Sequence, residues 1–326
     1  MNILQKLQYF FDKQTYKEID FFNKYKTKEN IKIYDCFLFF NENDLLEIRL
    51  NELNSIVDYF VIVESEYTFT QKKKPIYFDH NRFNRFKDKI IYIQNRKFTK
   101  IPDPWYSERI QRNLLIEGLK NAKENDLIIL SDLDEIPRSS KVIKAFYKIY
   151  AENSQDVAFE MDLFSYKLNN KCISCKPYDN SLATQYKYIQ DMENFRRKKS
   201  LNKIKDAGWH FSSIGEPEEI ILKLDSFSHR EYNKWPNNDI NFVKDRLSKG
   251  QSHLSHSEDL FNPIPINKSI FPKYLFYNQE KYAKLILGEI KRETIWTQIM
   301  HFYNQKICQI KEYTLGLRNK SSKKTD

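Results

Sequence analysis

The stretch DLIILSDLDEIP (126–137) runs apolar into three acids, Asp132, Asp134 and Glu135. Crowded carboxylates raise one another's pKa unless a positive charge faces them. Asp132 and Asp134 are two residues apart, so both aim the same way if strand geometry persists beyond the apolar run. Such a pair can hold Mg²⁺ or Mn²⁺ while the phosphates of a bound substrate complete the shell. The ion then neutralises the charge that builds on a diphosphate leaving group. Two other uses compete. Asp134 and Glu135 can cap a helix starting at Ser139 or Lys141. A DxD closing a strand is also the nucleophile position of a HAD-type phosphatase, but that chemistry needs a small hydroxyl residue shortly after it, and Ile136-Pro137 stands there.

Other residues could serve the same site. Glu64 closes the apolar run DYFVIVE and is a candidate contact for a nucleoside, with a lysine of Lys72–Lys74 as its competing partner. On the helical stretch SERIQRNLLIEGLKNA (107–122), Arg109, Arg112 and Asn113 share one face, while Gln111 lies on the apolar side. A buried amide there must find hydrogen-bond partners. Arg112 can pair with a diphosphate or with the DxD acids. His210 and Trp209, in AGWHFSSIG (207–215), suit a segment closing over a metal or a sugar. His210 is the candidate third metal ligand beside Asp132 and Asp134, and Trp209 a candidate donor contact.

These residues need a frame. Apolar runs at 33–40, 58–64, 89–95 and 127–132 read as buried strands, alternating with amphipathic helices at 41–57 and 107–122. That pattern predicts an α/β fold, a Rossmann-type, mostly parallel sheet flanked by helices. Ligands of such sheets bind beyond the carboxyl ends of the strands, where the DxD lies. The second half is less regular, with strands expected at 157–166 and 183–189, a short aromatic segment at 206–215, and helices at 216–229, 239–249 and 279–315. Expected domains are an amphipathic helical extension (1–30), a catalytic domain (31–255), a C-terminal helical extension (256–319) and a disordered tail (320–326).

The 326 residues are 40% hydrophobic and 15% aromatic, enough for a sizeable core, and no apolar stretch is long enough to span a bilayer. Lys and Arg exceed Asp and Glu by 54 to 44, a net +10 that suits an anionic partner or reflects compositional drift. The N-terminus is a poor signal peptide. Cys172 and Cys175 form a lone CxxC in a polar loop, with no second CxxC to complete a zinc site, so reduced, inert thiols are the expectation. The basic run Arg196–Lys199 allows a nucleic-acid-binding reading, yet no recognised module accompanies it.

Several blocks in one order resemble glycosyltransferase family 17: YDCFLFFNENDLLEIRLNEL (34–53), VDYFVIVESEYTFT (57–70), PIYFDHNRFNRFKDKII (75–91), PWYSERIQRNLLIEGL (104–119), DLIILSDLDEIPR (126–138) and AGWHFSSIG (207–215). They cover about residues 33–230, some two-thirds of the chain. The resemblance implies a GT-A-like fold with an acceptor half toward the C-terminus. It also implies inverting transfer of a sugar, typically N-acetylglucosamine, from a UDP donor to a glycan or lipid-linked saccharide, with a divalent metal, Mn²⁺ or Mg²⁺, at the DxD. No nucleic-acid partner is implied.

Inversion needs a base for the acceptor hydroxyl proton. Glu216, Glu218 and Glu219 follow the GWHFS segment, and Asp162 and Asp206 are further candidates; Glu216 and Asp162 head this set. Here the chain departs from the family, which usually shows Gly-Gly where Gly215-Glu216-Pro217 stands. The N-terminal apolar stripe Ile3, Leu4, Leu7, Phe10 and Phe11 can dock on the domain or lie on an anionic membrane. With the membrane anchor of the family's Golgi members missing, a cytoplasmic, at most membrane-peripheral, enzyme is expected.

Overall fold

The computed structural model describes residues 3–98, 101, 103–255 and 257–288, with side chains from residue 13 onward. The chain opens with helix α1 (Ile3–Lys28), then strand β1 (Ile33–Phe39), α2 (Asn43–Leu53), β2 (Tyr59–Ser65), β3 (Ile90–Asn95), α3 (Pro104–Asn113), β4 (Leu127–Leu130), β5 (Glu135–Pro137) and α4 (Ser139–Tyr150). It continues through β6 (Asp156–Ser165), β7 (Asn170–Cys172), β8 (Tyr178–Gln185), α5 (Met192–Arg197), β9 (Lys203–Ser212), α6 (Pro217–Ser226), α7 (Ile240–Ser248), β10 (Phe261–Pro263) and α8 (Lys273–Tyr277).

The sheet runs β10-β7-β6-β8-β4-β1-β2-β3, with β9 lying against β6 and β5. The half β3-β2-β1-β4 is parallel, as the continuous apolar runs require, because both of its faces are covered. On one face Phe37, Leu46, Leu50, Phe146, Trp209 and Phe211 pack together; on the other Val61, Val63, Leu115, Leu119, Leu182 and Phe195 do. Beyond β4 the pairing turns antiparallel through β8, β6 and β7. The order reverses between β1 and β4, and there a Rossmann-type sheet opens its ligand crevice.

Local chemistry sets most boundaries. Asp103 caps α3 by accepting from Trp105 N at 3.0 Å, and Pro104 takes the first helical position, where its missing N–H costs nothing. The α-helix then tightens to a 3₁₀ turn at Leu114–Leu119 rather than continuing to residue 122. The strand expected at 183–189 lies further back, at Tyr178–Gln185; Tyr186–Tyr188 form a 3₁₀ turn whose Tyr188 is exposed, so that aromatic run is surface rather than core. The aromatic segment at 206–215 is part of a ten-residue strand, β9. Residues 279–288 contain only turns, and the remainder of the helix expected to 315, like the tail, lies outside the described residues.

Helix α1 docks on α4 through Phe21, Phe22 and Tyr25, whose rings meet Phe146, Tyr147 and Tyr150. The side chains of the stripe from Ile3 to Phe11 fall outside the described residues. No helix among those described is long and apolar enough to cross a membrane.

Candidate active site

Strand β4 stops at Leu130, and the chain turns at once, with Glu135 N donating to Asp132 O at 3.0 Å. Strand geometry therefore does not persist through the DxD, and its two acids face different neighbours. Arg49, fully buried on α2, shapes this turn. Its Nη1 donates to the carbonyls of Asp132 (2.9 Å), Leu133 (3.1 Å) and Glu135 (2.9 Å), while Nε and Nη2 grip Asp35 at 2.8 and 2.6 Å. A charge this deep is tolerable only because it is paired and every face of the guanidinium is bonded.

Asp132 lies between two arginines. Oδ1 accepts from Arg112 Nη1 at 2.8 Å, and Oδ2 from Arg196 Nη2 at 2.9 Å. Burial would raise its carboxyl, but Arg196 and Arg112 outweigh that and hold it far below the usual carboxylate range. Both arginines are themselves fixed by other acids. Arg112 Nε donates to Glu193 at 2.8 Å and its Nη2 pairs with Glu108, while Arg196 Nη2 reaches the fully buried Glu135 at 2.6 Å. Burial lowers both guanidinium pKa values, and the facing acids more than restore them. Glu135 also accepts from Ser181 Oγ at 2.7 Å.

Asp134 faces the other way. Oδ2 accepts from Lys223 Nζ of α6 at 2.9 Å, and Oδ1 lies 3.8 Å from His210 Nε2 of β9. Burial pulls the Lys223 ammonium pKa down, and Asp134 and Glu42 push it above its ordinary value. His210 reaches this position because β5 and β9 pair Glu135 with His210 and Pro137 with Gly208. Gly208 is obligatory there: a Cβ would meet Ile136 O at 2.2 Å. The His210 ring packs 4.3 Å from that of Tyr178, and its Nδ1 is buried without a partner among the described residues.

These groups line a cleft of about 1040 Å³ at the carboxyl ends of β1, β2 and β4. Among the described residues its lining holds five carboxylates, Glu42, Glu108, Asp132, Asp134 and Glu193, against six cations, Lys74, Arg112, Arg196, Arg197, Lys199 and Lys223. The described lining thus carries no net negative charge. Tyr67, Phe69, Trp105, Phe227 and His229 form an aromatic end.

The residues singled out in the sequence separate clearly. Asp132, Asp134, Gln111, Arg112 and His210 line the cleft. Glu64 does not: its buried carboxylate is consumed by Lys74 Nζ (2.9 Å), Tyr77 N (2.6 Å), Phe78 N (3.1 Å) and Tyr92 OH (2.8 Å). Arg109 is exposed beside Tyr106, and Asn113 ties α3 to α5 through Asp191 and Glu193. Trp209 alternates with His210 on β9 and so points into the core, donating from Nε1 to Ile270 O at 2.7 Å under the Arg138 guanidinium. Glu216 caps α6 in a capping box with Glu219 and pairs with Lys167 at 2.5 Å, and Asp162 pairs with Lys171 at 2.6 Å; neither lines the cleft. Of the basic run Arg196–Lys199, Arg196 is turned inward and the other three are exposed. Cys172 and Cys175 are joined by a disulfide rather than being free thiols.

The expected metal set of Asp132, Asp134 and His210 is not assembled as three converging donors: among the described residues, only Cys172, Cys175 and Asp259 bring three such ligand atoms within 4.8 Å. Two converge. Ligands on one ion with bonds of ~2.1 Å sit roughly 3–4 Å apart, and Asp134 Oδ1 and His210 Nε2 match that. Mn²⁺ takes imidazole nitrogen as well as carboxylate oxygen and completes its shell with phosphates and water, so the Asp134–His210 pair fits it better than the harder, oxygen-preferring Mg²⁺.

Among the cleft acids, Glu42 stands apart. Its Oε2 accepts from Phe40 N and Asn41 N at 3.3 and 3.1 Å, and its charge acts on Lys223 and Lys74 without a direct ion pair among the described residues. Sequence reasoning missed Glu42, Arg49, Glu193, Arg196 and Lys223 as site members. Arg49 had a signal: Arg49 sits on the same helix as the apolar stripe Leu46, Leu50 and Leu53, and Asp35 interrupts the apolar strand IYDCFLFF. Two opposite charges in otherwise apolar elements imply a buried pair.

An α/β chain with an acid–arginine cleft at its strand ends, matched by the Glycosyltransferase family 17 model over residues 5–293, belongs to that family. It is 25% identical to the β-1,4-mannosyl-glycoprotein 4-β-N-acetylglucosaminyltransferase of Rattus norvegicus and 25% to that of Homo sapiens, each over 285 residues covering 76% of this chain and 53% of the relative. The chain therefore spans about half the length of the curated relatives it matches. Among solved structures it is similar to S. aureus TarS 1–349 in complex with UDP-GlcNAc (12% identity, TM-score 0.34, 59% of this chain and 64% of that one). It is also similar to a glucosyl-3-phosphoglycerate synthase from Mycobacterium tuberculosis in complex with Mn²⁺ and UDP-glucose (13%, TM-score 0.30, 50% and 60%). Both likenesses are distant.

Proposed function

We propose that this cleft binds a UDP-sugar, UDP-N-acetylglucosamine in the first place, and transfers the sugar with inversion to a hydroxyl of a glycan or lipid-linked saccharide. The observation that carries the reading is the pairing of Asp132 and Asp134 with Arg112, Arg196 and Lys223 at the strand ends. Family membership and the names of the relatives support the donor. The diphosphate lies against Lys223 and Arg196 of the cleft lining, and Lys223 Nζ keeps donor capacity, its one bond among the described residues being to Asp134. The aromatic end offers ring faces to a base or sugar.

A divalent ion held by Asp134 and His210 would add charge stabilisation at the departing diphosphate. The remaining steps belong to the chain itself. Arg49 fixes the turn, so the acids and cations are in place before the donor arrives. Glu42 takes the proton from the acceptor hydroxyl, since its Oε1 has no hydrogen-bond partner among the described residues and the other cleft acids are paired directly with cations. Initial rates with UDP-GlcNAc, UDP-Gal, UDP-Glc and GDP-Man, each with Mn²⁺ or EDTA, test the reading. UDP release should be greatest with UDP-GlcNAc and fall with EDTA. Turnover that ignores EDTA rejects the metal role, and absence of turnover with every UDP-sugar rejects the function.

A further inference from the structure

Away from the cleft, Cys172 at the end of β7, Cys175 in the following loop and Asp259 just before β10 bring two sulfurs and a carboxylate oxygen within 4.8 Å of one another. The backbone fixes this meeting. Phe261 pairs with Cys172 across the β7–β10 ladder, Ile173 N donates to Leu260 O at 2.9 Å, and Leu260 N donates to Ser174 Oγ at 3.0 Å. Ser257 Oγ donates to Asp259 Oδ2 at 2.8 Å and orients the carboxylate. Two features are poorly explained by a disulfide alone. The bond closes a separation of only three residues, the loop length for which cross-linking restricts the unfolded chain least. Asp259, partly buried, has no lysine or arginine partner among the described residues, and a disulfide gives its charge nothing to interact with.

We propose that Cys172, Cys175 and Asp259, once the disulfide is reduced, form a site for a soft tetrahedral divalent cation of the zinc type, with water as fourth ligand. Reduction by a small dithiol moves two electrons and two protons onto the S–S bond, giving two thiols while the dithiol becomes its own disulfide. Cation binding then releases both protons, since the thiolate is the ligand. Ligands about 3.5–3.8 Å apart satisfy zinc bond lengths, a spacing that the two sulfurs, bonded to each other here, reach by moving apart once reduced. The loop leaving Cys175 enters β8 at Tyr178, the ring packed on His210, which couples the site to the cleft wall.

Cobalt titration of the full chain, in a Cys308→Ser background, tests this. After reduction with dithiothreitol and its anaerobic removal, one equivalent of Co²⁺ should give thiolate-to-cobalt charge-transfer absorption, displaced by Zn²⁺. The oxidised protein should give none, Cys172→Ser/Cys175→Ser should give none, and Asp259→Asn should weaken cobalt binding at least tenfold. A reduced chain without the band overturns the proposal. So does a band whose affinity is unchanged by Asp259→Asn. The oxidised-versus-reduced comparison needs no variant, so a poorly folding double mutant does not blunt the test.

Discussion

Replacing Arg196 with Met should show how far the site is held by its own charges. Arg196 is 8% exposed and Glu135 fully buried, with 2.6 Å between them. Removing one partner of a buried pair costs about 3–5 kcal/mol, because the other charge is left in a poorly polarisable interior. After Arg196→Met, Glu135 keeps, among the described residues, Ser181 Oγ and Asp132 N. Glu135→Gln is milder, about 1–3 kcal/mol, since Arg196 still has Asp132, which is 41% exposed and partly solvated. The double variant removes both buried charges and should be more stable than the sum of the singles by about 2–3 kcal/mol. Urea unfolding of the four proteins at neutral pH gives the coupling directly. Additivity within about 0.5 kcal/mol would refute a buried, mutually dependent pair.

Glu42→Gln should lower kcat by at least ~100-fold, the smaller end of general-base contributions, with KM for UDP-GlcNAc unchanged; a kcat within fivefold of wild type removes Glu42 from the role. Glu47 gives a pH prediction. Burial opposes its charge, but Lys281, Arg82 and Tyr274 win and bring its carboxyl from the ordinary 4.5 down to about 2. The sign follows: the stabilisation is complete above pH 4.5 and is lost as pH falls through 2, up to about 3 kcal/mol by linkage. Urea midpoints between pH 6 and 2.5 should fall less steeply in Glu47→Gln, and parallel curves would contradict the assignment.

The parallel half of the sheet was legible because buried strands write continuous apolar runs, and 33–40, 58–64, 89–95 and 127–132 are such runs. The DxD was legible for the same reason, as acids ending one of those runs. Its surroundings were not. Arg196 and Lys223 come from helices 64 and 89 residues further on, and nothing local marks them as different from solvated cations. Glu64 had two readings in the sequence, a nucleoside contact or a partner for a nearby lysine, and the second holds: Lys74 and two backbone N–H groups take the carboxylate. Trp209 and His210 were treated together, although strand alternation requires neighbours on β9 to face opposite ways. The turn after β4 depends on Arg49, a contact across more than eighty residues.

The central claim is that Asp134 and its partners hold the diphosphate of a UDP-sugar. Calorimetric titration of UDP into the wild-type chain, Asp134→Ala and Asp162→Asn, each with Mn²⁺, tests it most directly. Expected are saturable binding to the wild type, the same affinity for Asp162→Asn, and at least tenfold weaker binding to Asp134→Ala. Equal affinity across all three proteins, or no UDP binding by the wild type, would contradict it.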